Sequence, residues 1–386
     1  MNVEQAKVKT VEQTLAELVA IDSRSSLSNV EVVNYASARL EASGLCVRLF
    51  PYTDEAGVKK FNLVAVAPRE TKDGDEVELA LVGHTDTVPF DPAWREATTL
   101  TGREGKLYGR GACDTKGYIA AALTAVEHLD LSRLARPLAV VLTADEEIGC
   151  LGAKRLADAR VLRVRRAIVG EPTSLQPIRA GKGYCLAEII VGGREGHSAY
   201  PALGASAIFR AARLVARIEE MAVQLQREQH AAFDPPHTTV NVGLIGGGTA
   251  KNIIAGECRF TLEWRPVAGQ PATHVVELVE RAVADLRAAD ADFACEIKVI
   301  RLDESNETPA AAALVRALEE ATGRSAGAVS FGTEAPQMVE MGAEAVVFGP
   351  GDIRVAHRTG EFVPVAELNA CVSILSRMIE RFCMDG

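Results

Sequence analysis

The stretch LALVGHTDTVP, residues 79–89, decides the fold of the first part of the chain. The strand that we predict from it, Val77–Gly83, is apolar and short enough to be buried on both faces, and polar residues follow it at once. Similar runs lie at Phe61–Ala67, Pro137–Ala144 and Arg166–Gly170, and helical periodicity separates them near residues 9–20, 29–43, 115–129 and 151–158. This alternation predicts an α/β domain with a mixed, mainly parallel sheet and helices on both faces.

A different order of elements begins near residue 180. Strand, helix, strand, strand, helix and strand are predicted at 183–192, 204–226, 238–245, 257–264, 273–290 and 294–302, which is the ferredoxin-like βαββαβ order. A helix at 308–321, a strand at 343–348 and a helix at 363–382 then resume the first pattern. We therefore expect a discontinuous catalytic domain, residues 1–179 and 298–386, interrupted by an inserted α+β domain at 180–297.

The composition excludes several classes of protein. Lys and Arg are scattered along a chain with a formal net charge of −10, so a nucleic-acid surface is not expected. The sequence contains neither a signal peptide nor an apolar run of membrane-spanning length, and we expect a cytoplasmic protein without a membrane partner. Its eight cysteines form no CxxC pair, which argues against a thiolate metal site and a disulfide scaffold.

Histidine and acidic residues follow directly after the predicted strands. These residues are His84, Asp86, Glu146, Glu147 and Glu171, while His357 lies in the loop beyond Val346–Pro350 and Asp114 stands just before a predicted helix. Because ligands of open α/β sheets bind outside the carboxyl ends of the strands, we expect these groups to converge at one rim. Any one of the carboxylates alone would more simply be a helix cap, and His357 alone a surface residue. Their recurrence at separate strand ends favours a metal site.

The residue types indicate which metal chemistry this rim would support. Histidines among carboxylates, without thiolates, suit Zn²⁺ or a similar divalent ion, and two ions can share the set. Asp86 leaves an extended segment on the same face as His84 and could orient its imidazole. Glu146 and Glu147 point opposite ways if extended, so one can hold metal while the other moves a proton, and spacing does not say which. His197 alone would be an ordinary turn histidine.

Six motifs along the chain carry a family resemblance: GHTDTVP (83–89), YGRGACDTKG (108–117), TADEEIG (143–149), GEPTS (170–174), GHSA (196–199) and AH (356–357). With them, the chain resembles the family of co-catalytic two-metal peptidases and deacylases that contains acetylornithine deacetylase, succinyl-diaminopimelate desuccinylase, aminoacylase and carboxypeptidase G. FDPAW (90–94), GEPTSLQPIRAGKG (170–183), FGTEAP (331–336) and FGPGDIRVAH (348–357) look most like the acetylornithine deacetylase branch.

The resemblance implies a role for each matching residue. The metal ligands would be His84, Asp114, Glu147, Glu171 and His357, with Asp114 bridging two ions, Zn²⁺ expected and Co²⁺ or Mn²⁺ as alternatives. Glu146 would be the general acid/base, with Asp86 behind His84. His197 would reach into the active site of a partner subunit in a homodimer. Arg265 and Asn252 would contact the substrate carboxylate. A cis peptide is implied at Asp114–Thr115.

The resemblance also implies the reaction, metal-dependent hydrolysis of the amide bond of an N-acyl amino acid, with N2-acetylornithine as the expected substrate. The substrate ammonium would need an anionic partner, for which Glu334 is the candidate beside Thr333, and a first-turn helix carboxylate is the alternative for Glu334. Desuccinylase, aminoacylase, acetylcitrulline deacetylase and dipeptidase activities stay open as alternatives. A non-catalytic metal-binding interaction protein is a remote further alternative.

Overall fold

The computed structural model of the protein describes residues 9–67 and 75–384. The expectation that no signal peptide is present concerns residues that lie mostly outside these ranges. Within the described ranges, no helix has both the length and the apolar character needed to cross a membrane. All eight cysteines are free thiols, and six of them are buried.

The α-helices of the described residues are α1 (Val11–Ala20), α2 (Val30–Ala42), α3 (Lys116–Glu127), α4 (Leu151–Asp158), α5 (Ala207–Leu225), α6 (His274–Ala289), α7 (Ala313–Thr322), α8 (Ala335–Glu340) and α9 (Val365–Cys383). Short 3₁₀ turns lie at Arg95–Thr98, Leu131–Arg133, Pro201–Leu203 and Ile353–Val355. The predicted helix at 308–321 begins later than expected, at Ala313, after a turn at 310–311. Before this turn, the Thr308 hydroxyl donates a hydrogen bond to the carbonyl oxygen of Ala345 at 2.6 Å.

The strands of the described residues are β1 (Cys46–Thr53), β2 (Lys59–Ala67), β3 (Glu76–Val77), β4 (Leu79–His84), β5 (Thr101–Arg103), β6 (Lys106–Tyr108), β7 (Leu138–Thr143), β8 (Arg163–Val164), β9 (Arg166–Val169), β10 (Ile178–Gly181), β11 (Tyr184–Gly192), β12 (Gly196–His197), β13 (Thr239–Gly247), β14 (Ile253–Ile254), β15 (Glu257–Arg265), β16 (Ala294–Asp303), β17 (Asn306–Glu307), β18 (Gly327–Val329), β19 (Glu344–Val347) and β20 (Phe362–Pro364).

The chain divides into two compact units. The first comprises Met1–Arg179, Thr308–Gly327 and Thr333–Gly386, and the second comprises Ala180–Glu307 and Ala328–Gly332. The second unit thus continues past the boundary expected at 297, which falls inside β16.

The first unit is built on a central sheet in the order β1-β2-β7-β4-β9-β19. Strands β7, β4, β9 and β19 are parallel to one another, whereas β2 pairs antiparallel with β7 and β1 pairs antiparallel with β2 at one edge. The expected mainly parallel sheet is confirmed. Because four neighbouring strands run in one direction, their carboxyl ends meet at one rim of the sheet.

Both faces of this sheet are buried, which explains why its strands are continuously apolar. On one face, alternate residues such as Leu81 and Val140 pack in a core shared with α1, α2, α3, α7 and α9. On the other face, residues such as Val82 and Val141 are equally buried, and α4 and α8 contact the strands. Burial of a side chain of this size stabilises the fold by about 1.5–3 kcal/mol, so the layered arrangement holds the rim rigidly.

The second unit contains a four-stranded antiparallel sheet in the order β13-β15-β11-β16. Buried and more exposed residues alternate along its strands β11 and β15. The buried ones, such as Ile189 and Leu262, lie in a core shared with α5 and α6. The βαββαβ order and the antiparallel pairing are those of the predicted ferredoxin-like unit. The short pair β12 and β14 lies outside this sheet and carries His197.

Candidate active site

His84 is the last residue of β4 and is almost completely buried. Its Nδ1 atom lies 2.9 Å from the main-chain oxygen of Asp86 and 3.7 Å from the Asp86 carboxylate. The carboxylate accepts hydrogen bonds from the main-chain N–H groups of Glu146, at 3.1 Å, and Glu147, at 3.3 Å. Asp86 therefore meets His84 at hydrogen-bond distance with its carbonyl oxygen, and its carboxylate lies just beyond that distance.

Asp114 lies between the two histidines of the site. One of its carboxylate oxygens is 3.0 Å from Nε2 of His84, and the other is 3.0 Å from Nε2 of His357. Asp114 precedes α3, and the peptide bond that joins it to Thr115 is cis, which confirms that expectation. A carboxylate that presents one oxygen to each histidine has the arrangement required of a ligand shared by two ions.

Three glutamates complete the cluster. Glu147 lies 3.0 Å from Nε2 of His357, and its other oxygen is buried without a hydrogen-bond partner. Ligand atoms of His84, Asp114 and Glu147 lie within 4.8 Å of one another, as do those of His84, Glu146 and Glu171. The two groups overlap at His84, and Glu146 is as well placed for one of them as the expected ligands.

Burial shifts the pKa values of the carboxyl groups in this cluster. Burial is the main reason why the pKa of Glu146 rises to about 8, and the charge of Glu147 adds to it. The pKa of Glu171 is raised by burial and by Asp114. Burial opposes the low pKa of Asp114, which the two histidines hold below its usual range. Carboxylates packed this closely repel each other, so the cluster suits cations.

Thr333 and Glu334 lie where α8 begins. Glu334 is 1% exposed, and its Oε1 accepts a hydrogen bond from the Thr143 hydroxyl at 2.5 Å. Thr333 is also buried, and its hydroxyl accepts a hydrogen bond from the N–H of Ala335 at 3.2 Å. Burial raises the pKa of Glu334 to about 7. Both side chains are thus engaged within the fold.

The remaining predicted residues lie in the second unit. His197 is exposed, and the N–H of its neighbour Ser198 donates to the carbonyl oxygen of Asn252 at 3.1 Å, so these two positions adjoin. Arg265 ends β15, where its guanidinium bonds to Glu263 at 2.8 Å and to the carbonyl oxygen of Ser330 at 3.0 Å. The structure therefore brings His197 and Asn252 together and holds Arg265 by separate contacts.

Sequence reasoning missed a buried glutamate that holds the Asp114 loop. Glu361 is fully buried and accepts hydrogen bonds from the N–H groups of Cys113 and Asp114, both at 3.0 Å. Arg110 lies 2.5 Å from its other oxygen. The only signal was an acidic residue shortly after His357, which by itself is typical of a solvated loop.

Comparisons with known proteins agree with this architecture. The model of peptidase family M20/M25/M40 matches residues 80–381. The acetylornithine deacetylase of Myxococcus xanthus is 55% identical over 371 residues, which cover 96% of this chain and 97% of that protein. The solved structure of aminopeptidase PepT from Bacillus cereus has a TM-score of 0.75 at 20% identity and covers 96% of this chain and 98% of its own.

A further solved structure, the Bacillus subtilis YXEP protein described as a dinuclear metal-binding peptidase, has a TM-score of 0.68 at 16% identity, with 96% and 98% of the two chains covered. The fold and the histidine–carboxylate cluster define a metal-dependent hydrolase. The chain belongs to peptidase family M20/M25/M40.

Proposed function

We propose that this protein hydrolyses the amide bond of N2-acetylornithine, releasing ornithine and acetate. The observation that carries the proposal is the near full-length similarity to the acetylornithine deacetylase of Myxococcus xanthus. The reaction is a step of arginine biosynthesis, which supports a cytoplasmic location for the enzyme.

The proposed cation ligands are His84, Asp114, Glu147, Glu171 and His357, which would hold two divalent ions with Asp114 shared between them. The unpartnered buried oxygen of Glu147 supports this assignment, because a buried carboxylate oxygen without a donor needs a cation. Nitrogen and oxygen donors without thiolate suit Zn²⁺ as well as Co²⁺ or Mn²⁺. We propose Zn²⁺ as the resident ion.

Bound divalent ions would polarise the acyl carbonyl group and lower the pKa of a water molecule. Glu146 would accept the proton of the attacking water on a carboxylate oxygen and return it to the departing amine. Asp86 holds the main chain of Glu146 and so fixes where that carboxylate stands. His197 would donate a hydrogen bond to the oxyanion of the tetrahedral intermediate.

The substrate would be held by its charges. We propose that Arg265 and Asn252 bind the α-carboxylate, for which a guanidinium fork is well suited. Thr333 stays a proposed contact of the ornithine side chain. Because the bond from Thr143 holds the Glu334 carboxylate within the fold, we propose that Glu334 supports the end of β7 and does not bind the substrate ammonium.

A homodimer formed through the second unit is proposed as the working assembly. Strand β13 is an edge of its sheet and exposes Leu244 by 73% and Ile245 by 57%. An exposed apolar edge strand is a surface that pairs readily with its own copy. In such a dimer, His197 would serve the active site of the partner subunit.

The test of the activity is a hydrolysis panel with the metal-replete enzyme. The substrates are acetylornithine, acetylcitrulline, acetylmethionine, succinyl-diaminopimelate and a dipeptide, and kcat/KM is compared across them. We expect the highest kcat/KM for acetylornithine. A preference for acetylmethionine would instead assign an aminoacylase, and a preference for succinyl-diaminopimelate a desuccinylase.

A further inference from the structure

A lysine ammonium is buried inside the first unit, near the start of a strand whose later residues are apolar. Lys60 in β2 is 1% exposed, whereas its neighbour Lys59 is exposed. Residues two apart on a strand share a face, so Lys60 and Asn62 point to the same side of the sheet. An ammonium that is withdrawn from water needs close polar partners.

The close partners of Lys60 come from two segments that are remote in sequence, and the Asp54 carboxylate lies further away, at 3.8 Å from its Nζ. Its Nζ donates hydrogen bonds to the carbonyl oxygens of Ser25, at 2.5 Å, and Leu27, at 2.8 Å. It also lies 2.9 Å from Oδ1 of Asp145, which is completely buried. The other oxygen of Asp145 accepts a hydrogen bond from the Tyr52 hydroxyl at 2.7 Å. One oxygen of this carboxylate is therefore held by a hydrogen bond and the other by the ion pair with Lys60.

Asp145 immediately precedes Glu146 and Glu147 in the chain. Its φ angle of 58° lies in the left-handed region, where a residue other than glycine is uncommon and needs support from its surroundings. Asn62 supports the same turn, because it accepts a hydrogen bond from the N–H of Ala144 and donates one to the carbonyl oxygen of Gly152, both at 3.0 Å. The contacts of Asp145 thus fix the direction in which the two glutamates leave β7.

A second route leads from Lys60 to the same pair of glutamates. The hydroxyl of Ser25, whose carbonyl oxygen Lys60 binds, donates to the Asp86 carboxylate at 2.7 Å. That carboxylate accepts the N–H groups of Glu146 and Glu147. One buried ammonium is therefore common to both sets of contacts that position the two residues.

We propose that Lys60 is a positioning residue for Glu146 and Glu147, acting through Asp145 and through Ser25 and Asp86. The proposal rests on the proposed roles of Glu147 as a metal ligand and Glu146 as the acid/base group. Displacing the turn would move both, so metal binding and turnover should weaken together.

The test compares Lys60→Met with Lys59→Met, which removes an exposed ammonium from the adjacent position of the same strand. The affinity for Zn²⁺ is measured by competition with a chromophoric chelator, and kcat and KM are measured with acetylornithine at saturating Zn²⁺. Loss of a group that supports metal ligands typically costs about 10–100-fold in affinity or activity. We expect losses of this size in Zn²⁺ affinity and in kcat for Lys60→Met, a nearly unchanged KM, and wild-type values for Lys59→Met.

A second variant, Tyr52→Phe, tests the proposal in case the Lys60→Met protein does not fold. Tyr52→Phe removes one hydrogen bond from Asp145 and leaves the ion pair intact, so the same losses should appear at smaller size. The proposal is overturned if either folded variant changes thermal stability while Zn²⁺ affinity and kcat stay at wild-type values. The Zn²⁺ measurement needs no substrate, so it decides this proposal even if acetylornithine is not hydrolysed.

Discussion

The Nδ1 atom of His84 faces the main-chain carbonyl oxygen of Asp86 at 2.9 Å, while the Asp86 carboxylate binds elsewhere. A carbonyl oxygen can only accept a hydrogen bond, so it favours the tautomer of His84 that carries the proton on Nδ1. Nε2 can then offer its lone pair to a metal ion. Meanwhile the carboxylate is free to accept the N–H groups of Glu146 and Glu147. Asp86 thus orients His84, a proposed ligand, with its backbone, and it orients the turn that carries Glu146 and Glu147 with its side chain.

Replacing Asp86 by Asn tests this division of roles. The amide keeps the shape of the side chain but offers one acceptor oxygen where two N–H groups need acceptors. We expect kcat and Zn²⁺ affinity to fall by about 10–100-fold, whereas the Nδ1-protonated tautomer of His84 persists. The tautomer is measured by ¹⁵N chemical shifts of the imidazole in the Zn²⁺-loaded variant. A switch of tautomer in Asp86→Asn would mean that the carboxylate, and not the carbonyl group, orients His84.

The number of metal ions bound by each variant distinguishes the role of Glu146 from that of Glu147. Glu146→Ala should lower kcat by about 10²–10⁴-fold, the usual contribution of a general acid/base group, and should still bind two ions per chain. Glu147→Ala should lose bound metal because it removes a proposed ligand that lies beside His357. Metal is counted by elemental analysis after dialysis. Since Glu146 also lies within ligand distance of His84 and Glu171, loss of an ion from Glu146→Ala would exchange the two roles.

The strand-end rule accounts for what the sequence could predict about the site. His84 and Glu171 are placed by β4 and β9, whose apolar runs are visible in the sequence, and parallel pairing brings their ends to one rim. Asp114 and His357 lie in loops, and the strand-end rule predicted that they would join the cluster, whereas only the family motifs indicated that they would be metal ligands. The structure places both beside His84 or Glu147.

Other features could not be predicted because they depend on contacts between remote segments. Strand β1 contains Pro51, which argues against a strand, yet β1 is tolerated because it is an edge strand with a single neighbour. The burial of Lys60 could not be predicted, because nothing in its own segment indicates Asp145 as its partner. The contact of His84 with the Asp86 carbonyl group depends on the turn after β4, which side-chain periodicity does not describe.

The stability of the metal-free protein should decrease as pH rises. Glu146, with its pKa raised to about 8, and His357, with its pKa raised to about 10, bind more protons in the folded chain than in the unfolded chain. Folding is therefore favoured at low pH and loses this contribution as pH rises, from about 4.5 to about 8 for Glu146 and from about 6.5 to about 10 for His357. Asp114, with its lowered pKa, contributes equally across this window.

Bound cations should cancel much of this dependence, because they stabilise the deprotonated carboxylates. Melting temperatures with a chelator and with Zn²⁺ should therefore lie further apart at pH 8 than at pH 5. Differential scanning fluorimetry at both pH values gives the comparison. A metal-free protein that becomes more stable towards pH 8 would contradict the excess of buried carboxylates.

Mixed dimers should reveal whether His197 acts in the partner's active site. A heterodimer of His197→Ala and Glu146→Ala chains contains one site in which both residues are intact if His197 crosses the interface. We expect that heterodimer to recover part of the activity that each variant homodimer lacks. The heterodimer is isolated with two different affinity tags before assay. An inactive, verified heterodimer would assign His197 to its own subunit or to an ordinary turn.

The last prediction concerns Glu334, for which the sequence left two roles open. Its side chain is buried, and Oε1 accepts the hydrogen bond of Thr143, the last residue of β7 and the partner of His84 in the sheet. A carboxylate held in this way supports the end of β7, and the loss of that support affects the hydrolysis of any acyl amino acid alike. We therefore expect Glu334→Gln to lower kcat/KM for acetylornithine and for acetylmethionine by the same factor, about 10-fold, as for other groups that support a metal site.

Thr143→Val provides the matched control, because it removes the donor of that hydrogen bond while keeping the size of the side chain. Equal losses on both substrates in both variants would confirm that Glu334 supports the strand end from which Glu146 and Glu147 follow. If Glu334 instead paired with the ornithine ammonium, Glu334→Gln would reduce kcat/KM far more for acetylornithine than for acetylmethionine, which lacks that charge. Thr143→Val would then still lower kcat/KM for both substrates by the same factor. The ratio of the two kcat/KM values in Glu334→Gln therefore decides whether Glu334 binds the substrate or supports the fold.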